Sequence, residues 1–167
     1  MREIDFTTAL GRLLSDAKTR EAFALDAAAV ARQLGICAAD YPAFTRLIPE
    51  HVEAQARVLL RKRWRAVAAL IPETAATHKG AVDALFREYA RGHWLPDALK
   101  DALAFAGWLR ERGHQICERE FNRVRFAGGR HGLALNLVRV PPSRVPALQV
   151  LLRRKQRTRE WLLRLGW

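Results

Sequence analysis

The spacing of apolar residues predicts an α+β, mainly α protein: an N-terminal helical bundle followed by a small C-terminal three-stranded antiparallel sheet. Three observations lead there. Up to residue 126, apolar side chains recur every three or four positions, the period of amphipathic helices. Past Gly128-Gly129 the period drops toward two, the spacing of strands with two distinct faces. Half of the 167 residues are apolar, which permits a sizeable core and argues against disorder. The implied organisation is a helical domain over 1–126 and a basic antiparallel β module over 127–167.

The elements follow in order. Phe6, Leu10, Leu13 and Leu14 make one stripe and predict a helix from Asp5 to Asp16. A short helical turn is expected over Arg20 to Leu25. Asp26 is placed to cap a helix from Ala27 to Leu34, and Gly35 to stop it. After Asp40-Tyr41-Pro42 a helix begins near Ala43 and breaks near Pro49. Glu50 to Leu70 is the longest helix, striped by Val52, Ala56, Leu59, Leu60, Val67 and Leu70 and ended by Pro72. Residues 73–80 read as a polar connection. Ala81 to Arg91 is helical through Val82, Leu85, Phe86 and Tyr89. Pro96 suits the first turn of a helix running from Asp97 to about Arg112. Residues 114–126 are expected to continue as helix, with Ile116, Phe121 and Val124 inward.

Beyond the glycine pair, His131 to Val140 alternates, with Leu133, Leu135 and Leu137 on one face and Ala134, Asn136 and Val138 on the other. Pro141-Pro142 ends the run. Leu148, Val150 and Leu152 alternate again; a polar turn over Arg153 to Thr158 follows, then Trp161, Leu163 and Leu165. Three short strands joined by turns make a meander. A helix across Ala147 to Leu165 is the competing reading, because Arg and Leu are also good helix formers.

Charge is distributed unevenly. Residues 1–112 carry 17 basic and 14 acidic side chains, whereas residues 113–167 carry 12 and 3, within a total of +12. So concentrated a positive field attracts polyanions or acidic peptides. Of the 29 basic residues 24 are Arg, whose planar fork suits carboxylate or phosphate; a GC-rich genome would also raise the Arg count. The longest apolar stretches, such as Ala66 to Ile71, fall far short of the roughly 20 residues of a membrane span. The charged start, Met1-Arg2-Glu3-Ile4-Asp5, lacks the apolar core of a secretory signal, so a cytoplasmic location is expected. Cys37 and Cys117 have no partner at metal-ligand spacing and read as reduced, buried thiols. His51, His78, His93, His114 and His131 are scattered over different elements. No phosphate loop, paired-Cys box or nucleophile elbow is present. A self-sufficient enzyme is therefore the weakest reading, with no catalytic residue, no metal ligand and no cofactor of its own expected.

Three features bear on binding. In Leu59-Leu60-Arg61-Lys62-Arg63-Trp64-Arg65, four cations surround a Trp that either grips a partner or packs against a neighbour. The aromatics Phe86, Tyr89, Trp94, Phe105 and Trp108 are either a docking surface or, the favoured reading, core between two helices. Arg61, Arg63, Trp64 and Trp94 are the candidate partner-interface residues. The basic meander has two edges, to which an extended peptide can add as a further strand, unless the sheet merely caps the helices. Its candidate peptide-binding residues are Leu133, Leu135, Leu137, Arg139, Arg153 and Arg154.

A family resemblance covers most of the chain. The opening Phe6-x3-Leu10-x2-Leu13-Leu14-x-Asp16 with Arg20-x2-Phe23-x2-Asp26-x3-Val30-x3-Leu34-Gly35-Ile36 carries it. So do Val58-Leu59-Leu60-Arg61-Lys62-Arg63, Leu85-Phe86-x2-Tyr89-Ala90-x3-Trp94 and the ending Trp161-Leu162-Leu163-Arg164-Leu165. Together they resemble the MbnC-like partner proteins that accompany multinuclear non-haem iron oxidative enzymes in peptide natural-product biosynthesis. The resemblance implies a non-catalytic subunit that forms a heterodimer with such an enzyme. The enzyme would hold the iron and oxidise cysteines of a ribosomally made precursor, while the small subunit helps hold the leader peptide. The main alternative is a nucleic-acid-binding, regulatory protein, supported by a pI near 11.1 and two Arg-rich stretches. Against it, no helix-turn-helix pair with a polar recognition face is evident, and the aromatics do not interleave with the basic strands.

Overall fold

The structure is a computed structural model that describes residues 3–95, 97–129, 132–140, 145–154 and 157–164. Its described elements are α1 (Phe6–Ser15), α2 (Ala17–Leu25), α3 (Ala27–Leu34), α4 (Tyr41–Thr45), α5 (Pro49–Leu70), α6 (Pro72–Thr77), α7 (Val82–Ala90), α8 (Ala98–Glu111) and α9 (Glu118–Ala127), followed by β1 (Gly132–Val140), β2 (Val145–Arg154) and β3 (Arg157–Arg164). The architecture is α+β and mainly α, as the periodicity predicts. Among the described residues no helix is long and apolar enough to cross a membrane.

The chain divides into two compact units, residues 1–63 with 87–94, and residues 64–86 with 95–167. α9 sits with the sheet because its polar side chains are tied into it, and α5 and α7 each supply residues to both units.

In the first unit, single aspartates punctuate consecutive helices. Asp5 accepts from the Thr8 N–H at 2.7 Å. Asp16 closes α1 and caps α2, and Asp26 closes α2 and caps α3 through the Ala29 N–H at 2.8 Å. Each carboxylate satisfies amides that a helix start leaves unpaired. The turn expected over Arg20 to Leu25 is thereby a full helix from Ala17. Gly35, with φ of 73°, ends α3, and Ile36 then bridges to Ile4. The core gathers Ala9, Leu13, Phe23, Val30, Ala31, Phe44 and Val52, with the Phe23 and Phe44 rings edge to face at 5.3 Å. Arg20 donates to Glu53 at 3.0 Å and to the Leu14 carbonyl at 2.9 Å. Burial alone would raise the Glu53 carboxyl, but the Arg20 and Arg57 guanidiniums outweigh it and hold the pKa below the usual value.

In the second unit, α8 buries Ala102, Phe105, Ala106 and Leu109, and the rings of Trp64, Phe86 and Phe105 pack mutually at 5.1 to 5.9 Å. Three segments differ from expectation. The 73–80 connection contains α6, whose N-terminus is capped by a carboxylate from α9, 47 positions away. Residues 114–117 are not helical, because Gly113, with φ of 76°, terminates α8 and α9 begins only at Glu118. The meander forms with order β1-β2-β3, both pairs antiparallel, in place of the competing helix. The turn between β2 and β3 is shorter than predicted, since β2 runs through Arg154 and β3 starts at Arg157. Pro96, His131, Pro141, Pro142 and Leu165 lie outside the described residues.

Candidate protein-binding surface

The register of the sheet fixes which side chains share a face. Leu133 pairs with Leu152, Leu135 with Val150 and Leu137 with Leu148; across the other ladder Leu152 pairs with Arg159, Val150 with Trp161 and Leu148 with Leu163. Alternation then places eight apolar side chains and Arg159 in a three-by-three array on one face. This face is open. Leu133, Leu135 and Leu137 are 62%, 60% and 68% exposed, and Leu152, Trp161 and Leu163 are exposed as well. Arg139 lies beyond one end of the array, beside Pro146. Arg159, with Arg154 opposite Arg157, lies at the other end. All four arginines are exposed, and no acidic residue among the described strand positions shares the face.

The opposite face packs on α9. Val138, Ala147, Gln149 and Leu151 are buried there. The Gln149 amide donates to the Arg119 carbonyl and to Glu160 Oε1, both at 2.9 Å, and its own Oε1 is buried without a hydrogen-bond partner among the described residues. Glu160 also faces the Arg119 and Arg123 guanidiniums at 3.7 Å. Arg119 is paired with Glu73 as well, and these two carboxylates outweigh its desolvation and raise its pKa. Glu120, 1% exposed, accepts from the Glu73 and Thr74 amides at 2.6 and 2.8 Å and from the Thr74 hydroxyl at 2.9 Å. Thr74 Oγ1 in turn accepts from the Cys117 N–H. The polar chain thus welds α6, α9, β2 and β3 together.

Cys117 belongs to this network. Burial pushes its thiol up to about 11, and the Glu73 carboxylate, which accepts from the thiol at 3.2 Å, adds to the shift. At neutral pH it is a protonated, packed thiol rather than a nucleophile. Cys37 is free and half-buried, its thiol donating to Asp40 at 3.3 Å. The histidines are less scattered than their sequence positions imply. The His78 and His114 rings meet at 5.5 Å, and His78 Nε2 donates to the Gln115 carbonyl. Among the described residues no three His, Cys, Asp or Glu side chains are grouped to hold a metal ion.

The candidate residues separate accordingly. Leu133, Leu135, Leu137, Arg139 and Arg154 stand together on the open face. Arg153 points the other way and donates to the Phe126 carbonyl at the end of α9. Near it, Asn122, Arg125, Phe126, Gly129, Ala134 and Asn136 line a cleft of about 290 Å³. Of the interface candidates, the Arg63 guanidinium lies over the Tyr89 and Trp94 rings at 5.6 and 5.5 Å, which joins Arg63 to Trp94. Trp94 is 51% exposed and Arg61 is exposed, but Trp64 packs within the aromatic cluster of the second unit. Phe86, Tyr89, Phe105 and Trp108 are core. Sequence reasoning did not pick out Leu148, Val150, Leu152, Trp161, Leu163, Arg157 and Arg159 as surface partners of the β1 leucines. Their alternation was visible, but only the register aligns the three strands.

A family model, the SCO6045-like, C-terminal domain, matches residues 42–111, from α4 to the end of α8 and outside the sheet. No curated protein and no solved structure matches the chain.

Proposed function

We propose that this chain is a non-catalytic partner subunit of a multinuclear non-haem iron, peptide-modifying oxidase. In this reading it forms a heterodimer with the enzyme in the cytoplasm and helps hold the leader peptide of a ribosomally made precursor; the iron belongs to the enzyme. The observation that carries the proposal is the open apolar face of the meander, since a folded chain leaves so large an apolar surface uncovered chiefly where it binds something. The two edge strands give the peptide a place. Among the described residues, no backbone hydrogen bond outside the two ladders involves β1 or β3. A peptide added along β1 would run beside Leu133, Leu135 and Leu137, with Arg139 near one end. The resemblance of the helical segments to MbnC-like proteins supplies the class of partner.

The test is co-purification with candidate iron enzymes, followed by titration with their precursor peptides. A stable one-to-one complex that binds the leader more tightly than either protein alone is expected. No heterodimer, and no effect of this chain on enzyme activity, would sink the proposal. Sequence-selective binding of duplex DNA that weakens steeply with salt would replace it with the nucleic-acid reading.

A further inference from the structure

We infer that the open face of the sheet is the seat of an acidic amphipathic α-helix carried by a protein partner. The inference rests on the partner-subunit reading only in assigning the helix to a protein, and it concerns the face, not the strand edges offered to the peptide.

A sheet is stable with each apolar face covered, and here α9 covers one face and leaves the other bare. The bare face is three strands wide, about 10 Å between the outer strands, which matches the diameter of one helix. Its length is set by its cations. Arg139 pairs with Pro146, and Pro146 lies eight positions from Arg154 on β2. At about 3.3 Å per residue the two ends are about 26 Å apart, the length of a helix of about 18 residues. Such a helix would lay its apolar stripe along Leu148, Val150 and Leu152 of β2, with the β1 leucines on one flank and Trp161 on the other, and its carboxylates against the arginines at both ends.

Charge excludes the simplest competitor. A second copy of the chain would bring the same arginines to the same interface, with no described acidic residue on either face to meet them. Every described cation of the face is Arg, with none Lys, and the guanidinium fork pairs bidentately with carboxylates. An anionic membrane is the remaining competitor and is decided by the test.

The probe is a synthetic peptide of about 18 residues with Leu at helical i, i+3, i+4, i+7 spacing and Glu elsewhere. Controls are the same composition in strict alternation, the Lys counterpart, and vesicles of equal phosphatidylcholine and phosphatidylglycerol. Titrated into the full chain, the acidic helix should bind and gain helical circular dichroism. Leu135→Glu should weaken binding at least tenfold, as should Arg154→Glu with Arg157→Glu. Lys79→Glu, an exposed charge reversal away from the face, should not. Equal binding of the alternating or Lys peptide overturns the inference. So does vesicle binding that Leu135→Glu abolishes while the acidic helix fails to bind. A chain that pairs with an iron enzyme yet ignores the helix, with Leu135→Glu leaving that pairing intact, overturns the inference and leaves the partner-subunit reading standing. A chain that binds the helix but no iron enzyme does the reverse.

Discussion

On the side of the sheet that faces α9 stand Ala134, Asn136, Val138, Ala147, Gln149, Leu151, Arg153, Thr158, Glu160 and Leu162; on the side that faces away stand six leucines with Val150 and Trp161. The covered face is the more polar of the two. An isolated domain would be expected to turn the leucines inward, because each buried leucine is worth about 2 kcal/mol relative to its exposed state. Here the inner face is held by hydrogen bonds and ion pairs anchored on Glu73, Arg119, Glu120, Gln149 and Glu160, while on the outer face Leu133, Leu135, Leu137, Leu152, Trp161 and Leu163 are exposed among the described residues. The difference teaches that side-chain polarity and burial are separate quantities: the first belongs to the sequence, the second to whatever the face is packed against.

The largest effect should come from breaking the inner face. Glu120 accepts from two amides and a hydroxyl in a site closed to water, and supplies the cap of α6 from 46 or 47 positions away. Glu120→Ala leaves two buried donors and a part-buried one unpaired, at about 1 kcal/mol or more each, so a loss on the order of 3 kcal/mol is expected. Urea unfolding of the variant against the parent measures it. A loss under about 1 kcal/mol would show that the inner face is not held by this network.

That carboxylate marks the limit of what the sequence discloses. The helices of the first unit are legible because their signals are local. Asp26 and Gly35 sit next to the ends they cap, and Phe6, Leu10, Leu13 and Leu14 recur at helical spacing. α6 is not legible, because its cap comes from a distant helix, and Pro72 reads equally well as the end of α5. The meander is legible as three alternating runs, and so are the β1 leucines as a candidate surface. Its inversion is not, since alternation separates two faces without saying which one α9 will cover. Arg153 shows this at one residue: it shares its charge with Arg154 but pairs with the helix, because the pleat turns it inward.

A second prediction concerns Cys117, within the inner network. Its pKa is raised from 9.0 to about 11, so the fold favours the protonated thiol. The stabilisation is fully present below pH 9 and is lost as pH rises through about 11. Between pH 8 and pH 11 the parent should lose about 2 kcal/mol more stability than Cys117→Ala, which removes the titrating group. The difference between the two proteins isolates the contribution of Cys117. At pH 8 the native thiol should also resist iodoacetamide until the unit unfolds. Parallel pH dependences in the two proteins would mean that the thiol is not held protonated by its surroundings.

The smallest effect on stability should come from the outer face, and it sharpens the comparison most. Leu135 stands at the middle of β1, 60% exposed, with Val150 opposite and Trp161 beyond it. Truncation to Ala removes methyl groups that water already reaches, so unfolding in urea should move by no more than about 0.5 kcal/mol. The same truncation of a buried leucine ordinarily costs about 2–5 kcal/mol. If Leu135→Ala instead proves strongly destabilising, the face is covered by the chain itself in solution and the leucines are core. If stability is unchanged while binding of the acidic helix weakens, the free energy those leucines can contribute is held in reserve for a second molecule. That outcome would place the missing layer of this sheet in another protein.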